Sequence, residues 1–140
     1  MDDIYNLSRF LDAQSINYSS ALSEIQKGRK TTHWMWYIFP QITGLGRSPI
    51  SEYYAIKSLD EAKAYINNSI LAYRLREASQ ALLVHSDKSI KDILGSIDSM
   101  KLKSSMTLFD LASPNDVFSE VLKTFFASLR DTNTLLKIME

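Results

Sequence analysis

From Ile4 onward the apolar positions recur at three- and four-residue intervals, the period of a helix that buries one face. Ile4, Leu7 and Leu11 form one stripe with Phe10 beside it, which predicts a first helix over residues 3–14 capped by Asp2 or Asp3. Ala21, Leu22 and Ile25 predict a second over 17–27, stopped by Gly28 as a left-handed C-cap. Ser58 followed by Glu61 is a capping-box pattern that opens a helix to about Asn67. Ser69 can cap a longer helix through Leu71, Leu75, Ala78 and Leu82, and Asp87 opens a short turn ending at Gly95. Ser96 begins a helix with Leu102, Met106 and Phe109 on one stripe. Ser113 with Pro114 starts the Val117, Val121, Phe125 face, and Asp131 caps the last short helix. Nowhere do residues alternate strictly with β-branched enrichment between turn signals; the one strand-like run is Trp34 to Phe39. The expected fold is all-α: a single helical domain over residues 1–140, a compact orthogonal array of about seven helices with one Gly/Pro/aromatic-rich loop segment.

Composition narrows the function classes. Hydrophobic residues make up 45% and charged residues 23% of the 140, so the chain can bury a real core and disorder is not expected. Sixteen basic residues balance sixteen acidic ones, seven against seven up to residue 70 and nine against nine after it. No half is a charged field, which argues against a nonspecific grip on nucleic acid or anionic lipid. The chain has no cysteine, so thiolate zinc sites, disulfides and cysteine nucleophiles are out. Two histidines are too few for a typical catalytic metal site, and neither a metal nor a cofactor is called for. The start MDDIYNLSRF lacks the basic and apolar regions of a signal peptide, no stretch is apolar enough to span a membrane, and the expected location is cytoplasmic.

Residues 33–54 hold six of the fifteen aromatics, interleaved with Gly44, Gly46, Pro40 and Pro49. One reading makes the rings a core plug bracketed by turns. The other makes them a pocket wall in which Trp34, Trp36 and Tyr54 stack on a ligand, Gly44 and Gly46 let backbone amides approach it, and His33, Gln41 and Ser48 supply directed hydrogen bonds. Gly-Leu-Gly-Arg-Ser is only a fragment of a phosphate-binding loop, because the third glycine and the Gly-Lys-Ser/Thr ending are missing. Lys27, Arg29 and Lys30 make a basic turn beside the aromatic run.

A second polar group lies on the helix after Ser96. Lys101, Ser104 and Ser105 share one face with Asp98 a turn earlier, a pattern suited to anion recognition by an ammonium and hydroxyls, or else to a simple surface pair with packed hydroxyls. His33 and Glu61 are the candidates for proton transfer, with Glu61 also explained as a capping residue. Met100 and Met106 read as core filler, and His85, at a helix end, as structural.

The strings GRKTTHWMWYIFPQITGLGRSPISEYYAIKSLDEAKAYI and KLKSSMTLF, with SRFLDAQ near the start, resemble the family named domain of unknown function 1810, often labelled calpastatin-like. The resemblance runs from about Tyr5 to Leu136 and implies a small all-helical protein without an established activity. The label would imply a disordered protease inhibitor, which this aromatic-rich composition does not fit. Where the family pattern usually has His-Pro this chain has Asn68-Ser69, and Ile97-Asp98 stands where Pro-Asp is usual. The stretch SEYYAIKSLDEA is also distantly similar to a helix of the NAD- and ADP-ribose-associated domain family. Two functions follow as expectations: a pocket for a nucleotide-like or ADP-ribose-like, phosphate-bearing molecule with hydrolysis left open, or a non-enzymatic module docking a protein partner through the aromatic 33–54 segment. They separate on whether residues 33–54 and 98–107 line one concavity.

Overall fold

The structure is a computed structural model that describes residues 3–140, so the Asp2 cap lies outside the described residues. Nine helices follow one another: α1 (Ser8–Lys27), α2 (Met35–Ile38), α3 (Pro49–Tyr54), α4 (Leu59–Asn67), α5 (Ser69–Leu83), α6 (Ile90–Leu94), α7 (Ser96–Ala112), α8 (Val117–Phe126) and α9 (Thr132–Met139), and among the described residues there is no strand. Among the described residues the one β-type pairing is an isolated parallel bridge between Ile42 and Ile56.

The two helices expected over 3–14 and 17–27 are one continuous α1. Its polar middle, Ser15 and Asn17, holds no glycine or proline to interrupt the ladder. The Asp3 carboxylate accepts the amides of Leu7 and Ser8 at 2.7 and 3.0 Å, and Gly28 ends the helix in the left-handed region as expected. Ser58, Ser89 and Asp131 cap α4, α6 and α9 through their side chains. Three caps shift by one to three residues: Asn68, not Ser69, accepts the first amides of α5, Ser89, not Asp87, caps α6, and Asp116, not Ser113, opens α8 after Pro114. The merger of the first two helices leaves seven elements outside the aromatic segment, and α2 and α3 inside it make nine.

α7 runs through the middle of the array and packs against α4, α6, α8 and α9, while α5 packs against α1, α4 and α8. Every residue of α7 from Ser104 to Asp110 is buried, a run too polar for an apolar core helix. The hydroxyls of Ser99, Ser104 and Thr107 solve part of this by reaching the carbonyl four residues back. Ser105 Oγ is buried with no partner.

Polar side chains of α1 pin the aromatic segment to this core. Buried Arg9 donates to the carbonyls of Tyr5, Asn6, Tyr53 and Ala55 and pairs with Glu61 at 2.6 Å. Its planar fork is filled, which is what makes a buried guanidinium affordable. Gln14 Nε2 donates to the Tyr37 carbonyl at 2.7 Å. The strand-like run Trp34 to Phe39 is a single helical turn, α2, whose Met35, Tyr37 and Ile38 are buried. α3 starts with Ser48 accepting the Ser51 amide and Pro49 at the first position, and the 41–43 stretch is tied to Ile56 by two backbone hydrogen bonds of 2.7 and 2.8 Å.

Candidate functional site

Part of the aromatic segment and part of α7 meet. Gln41, Leu45 and Gly46 on one side, Ile97, Met100, Lys101, Lys103 and Ser104 of α7 on the other, and Asp131 and Asn133 at the start of α9 line an open groove of about 320 Å³. Below it, Trp36, Gln41, Gly46 and Tyr54 surround a void of about 10 Å³, the size of one water.

Gly46 is required by contact: an added Cβ would stand 2.6 Å from the Ser51 Cβ. Gly44 combines a left-handed φ of 90° with a Lys137 side chain that would come within 2.8 Å of a Cβ. It therefore faces α9, not Lys101. Ser48 is occupied with the α3 cap and with the Ser51 hydroxyl at 2.7 Å.

The electrostatics centre on Asp98, in the first turn of α7. Its Oδ1 lies 3.4 Å from the Lys101 ammonium and its Oδ2 3.0 Å from that of Lys30. Each ammonium also sits over an indole ring, Lys30 5.1 Å from the Trp34 centroid and Lys101 5.5 Å from that of Trp36. Two cations thus share one carboxylate among the described residues. The other carboxylate in the groove, Asp131, is engaged with the Ser104 hydroxyl at 3.0 Å and with the amide and hydroxyl of Thr134 at 3.0 and 2.6 Å. All three contacts are structural, and the Ser104–Asp131 contact is a brace between α7 and α9.

Of the remaining expected residues, Trp36 and Tyr54 reach only the small void and the others go elsewhere. His33 and Trp34 line a separate cleft of about 290 Å³ with Asn17, Ser20, Glu24, Thr32 and Tyr37. His33 is exposed there, while Trp34 is buried with its indole N–H on Glu24 at 3.0 Å. Glu61 is buried in the Arg9 pair and accepts the Lys57 amide at 3.1 Å, far in character from a pocket base. Ser105 is in the core. Tyr54 packs its ring 5.3 Å from Tyr37 and 5.9 Å from Phe10, and its hydroxyl ionises less readily because of burial and the neighbouring Tyr53. Trp36 is only half-buried. His85 is structural as expected: its Nε2 meets the carbonyls of Ile25 and Gln26 at the end of α1.

Met100 overturns its expected place as core filler: it is 70% exposed on the groove rim beside Ile97 at 74%. Leu45 and Asn133 also line the groove without any sequence signal. A further hollow of about 560 Å³ between Ile66 and Gln80 runs along α5, with Arg76 held by Asp116 and Glu77 by Tyr18. Among the described residues no group of three or more His, Asp or Glu is placed to hold a metal, and no helix is long and apolar enough to cross a membrane.

A solved crystal structure, that of the conserved hypothetical protein Rv1873 from Mycobacterium tuberculosis, is similar to this chain at a TM-score of 0.96 and 40% identity, with 99% of each chain covered. No curated protein matches. The model of a family of proteins of unknown function, DUF1810, matches residues 4–138, so the fold, the two sequence blocks and the near-complete match agree that the chain belongs to that family.

Proposed function

We propose that the protein is a cytoplasmic binder of a small phosphate-bearing molecule, of nucleotide or ADP-ribose type, in the groove between the 41–46 loop and α7. The observation that supports this reading is that Gln41 and Gly46, from one of the two specific blocks, line the same groove as Lys101 and Ser104, from the other. A groove of about 320 Å³ is at the small end of what ligand sites enclose. Lys101 offers an ammonium, Trp36 a ring beside it, and the rim of Ile97 and Met100 an apolar edge. Hydrolysis finds no support in the groove, since neither Ser104 nor Asp131 has a free base or an activated hydroxyl.

Docking through the aromatic 33–54 segment has less to offer, since Trp34, Tyr37 and Phe39 are buried; the exposed Ile97 and Met100 instead favour a protein-docking surface on the groove rim. Titration with ADP-ribose, NAD and ATP, followed by melting temperature, separates the two. Binding to the folded protein raises the midpoint by mass action. Lys101→Ala should abolish that shift while leaving the unliganded midpoint within a few degrees, because the Lys30–Asp98 pair remains. No shift with any of the three, together with loss of a partner on Met100→Lys, would favour docking.

A further inference from the structure

We propose that Asp98 is the resident occupant of an anion subsite formed by Lys30 and Lys101, and that a phosphate group binds there by displacing the Asp98 carboxylate. The inference deepens the groove reading and rests on it: it assigns Lys30 to the site and gives Asp98 the part of a built-in competitor.

The charge count comes first. Among the described residues Asp98 is the carboxylate in ion-pair range of either ammonium, at 3.0 Å from Lys30 and 3.4 Å from Lys101, so the three groups sum to one excess positive charge. The Lys30 side chain is only 8% exposed, which limits how far water can compensate. A phosphate monoester carries about −1.5 to −2 charges and three acceptor oxygens. It neutralises two ammonium groups where one carboxylate leaves half the job undone.

Geometry comes second. The two lysines do not depend on Asp98 alone for their positions, because each ammonium also lies over a ring, Trp34 for Lys30 and Trp36 for Lys101. When the carboxylate swings out, the cations stay. Asp98 itself remains favourable after displacement, since it stands in the first turn of α7 where negative charge is stabilised. Its side chain is 18% exposed and that of Lys101 26%, so this pair forms the open side of the cluster, next to the groove that Lys101 lines.

The test uses the full chain and pyrophosphate as probe, with calorimetric titration of the wild type, Asp98→Asn, Lys30→Gln and Lys101→Ala. Removing the competitor should tighten pyrophosphate binding by about tenfold or more in Asp98→Asn, and Lys30→Gln should weaken it by a similar factor. Equal or weaker binding by a folded Asp98→Asn overturns the inference while wild-type binding still upholds the groove reading. If pyrophosphate binds neither the wild type nor Asp98→Asn, the groove reading itself fails. Should Asp98→Asn not fold, with two lysines left uncompensated, Lys30→Gln decides: it keeps the Lys101–Asp98 pair, and unchanged pyrophosphate affinity in that variant overturns the proposal.

Discussion

Glu24 receives hydrogen bonds from the amides of Thr31 and Thr32, the Thr32 hydroxyl and the Trp34 indole, and so fastens the start of the aromatic segment to α1. Burial alone would raise its pKa, but these donors outweigh that and hold it at about 2 against an ordinary 4.5. A carboxyl depressed in the folded state contributes stability that is present above pH 4.5 and is lost as the pH falls toward 2. The melting midpoint should therefore drop over that window, and Glu24→Gln should flatten the drop. Asp116 and Asp3 are also held low, by Arg76 and by amides of the first turn, so the slope should shrink without vanishing. The sequence shows Glu24 as an ordinary helical carboxylate. Its partners lie seven, eight and ten residues on, beyond Gly28, and no periodicity encodes a chain folding back on its own helix. The distant partners of Arg9, Gln14 and Asp98 escape for the same reason: Tyr53, Ala55 and Glu61 lie 44 or more residues from Arg9, Tyr37 lies 23 from Gln14, and Lys30 lies 68 from Asp98.

Elements were more legible than their polar ties. Side-chain caps are local, and Gly28, Ser58 and Asp131 end or open helices where their chemistry requires. α2 was not legible, because a single turn of Met35–Ile38 has no side-chain cap and its aromatic, β-branched residues favour strands. α3 carried a readable Ser48–Pro49 start, the same type of signal as Ser113–Pro114, but six residues give too little periodicity to confirm a helix. The α8–α9 connection hides a different feature. Ala127 and Ser128 both take left-handed conformations, φ 54° and 64°, with no glycine between them. A left-handed alanine costs roughly 1–2 kcal/mol, so Ala127→Gly should stabilise the fold by up to about 1 kcal/mol after the added chain entropy. A higher denaturant midpoint at unchanged slope is the expected reading; an unchanged midpoint would mean that the turn is not strained.

At the scale of the whole molecule, the sequence marked two blocks by their residue types, and the fold brings only part of each into one groove. Helical period placed Lys101, Ser104 and Asp98 on one face of α7, but it could not show that Lys30 arrives from the end of α1 to share Asp98. Nor could it show that His33 and Trp34 turn toward α1 into a different cleft. That pairing of lysines with indoles has an optical consequence. The chain has two tryptophans, and each lies beneath one of these ammonium groups, so its entire tryptophan emission originates within the charge cluster. A charge above an indole face shifts its emission, and bringing a dianion to the lysines changes that field. Pyrophosphate should alter the fluorescence of the unlabelled protein, and the change should persist, reduced, in both Trp34→Phe and Trp36→Phe, since each remaining indole lies beneath one of the two lysines. The molecule thus contains its own fluorophore for any anion that reaches Lys101, and ligands can be screened by light without attaching a dye.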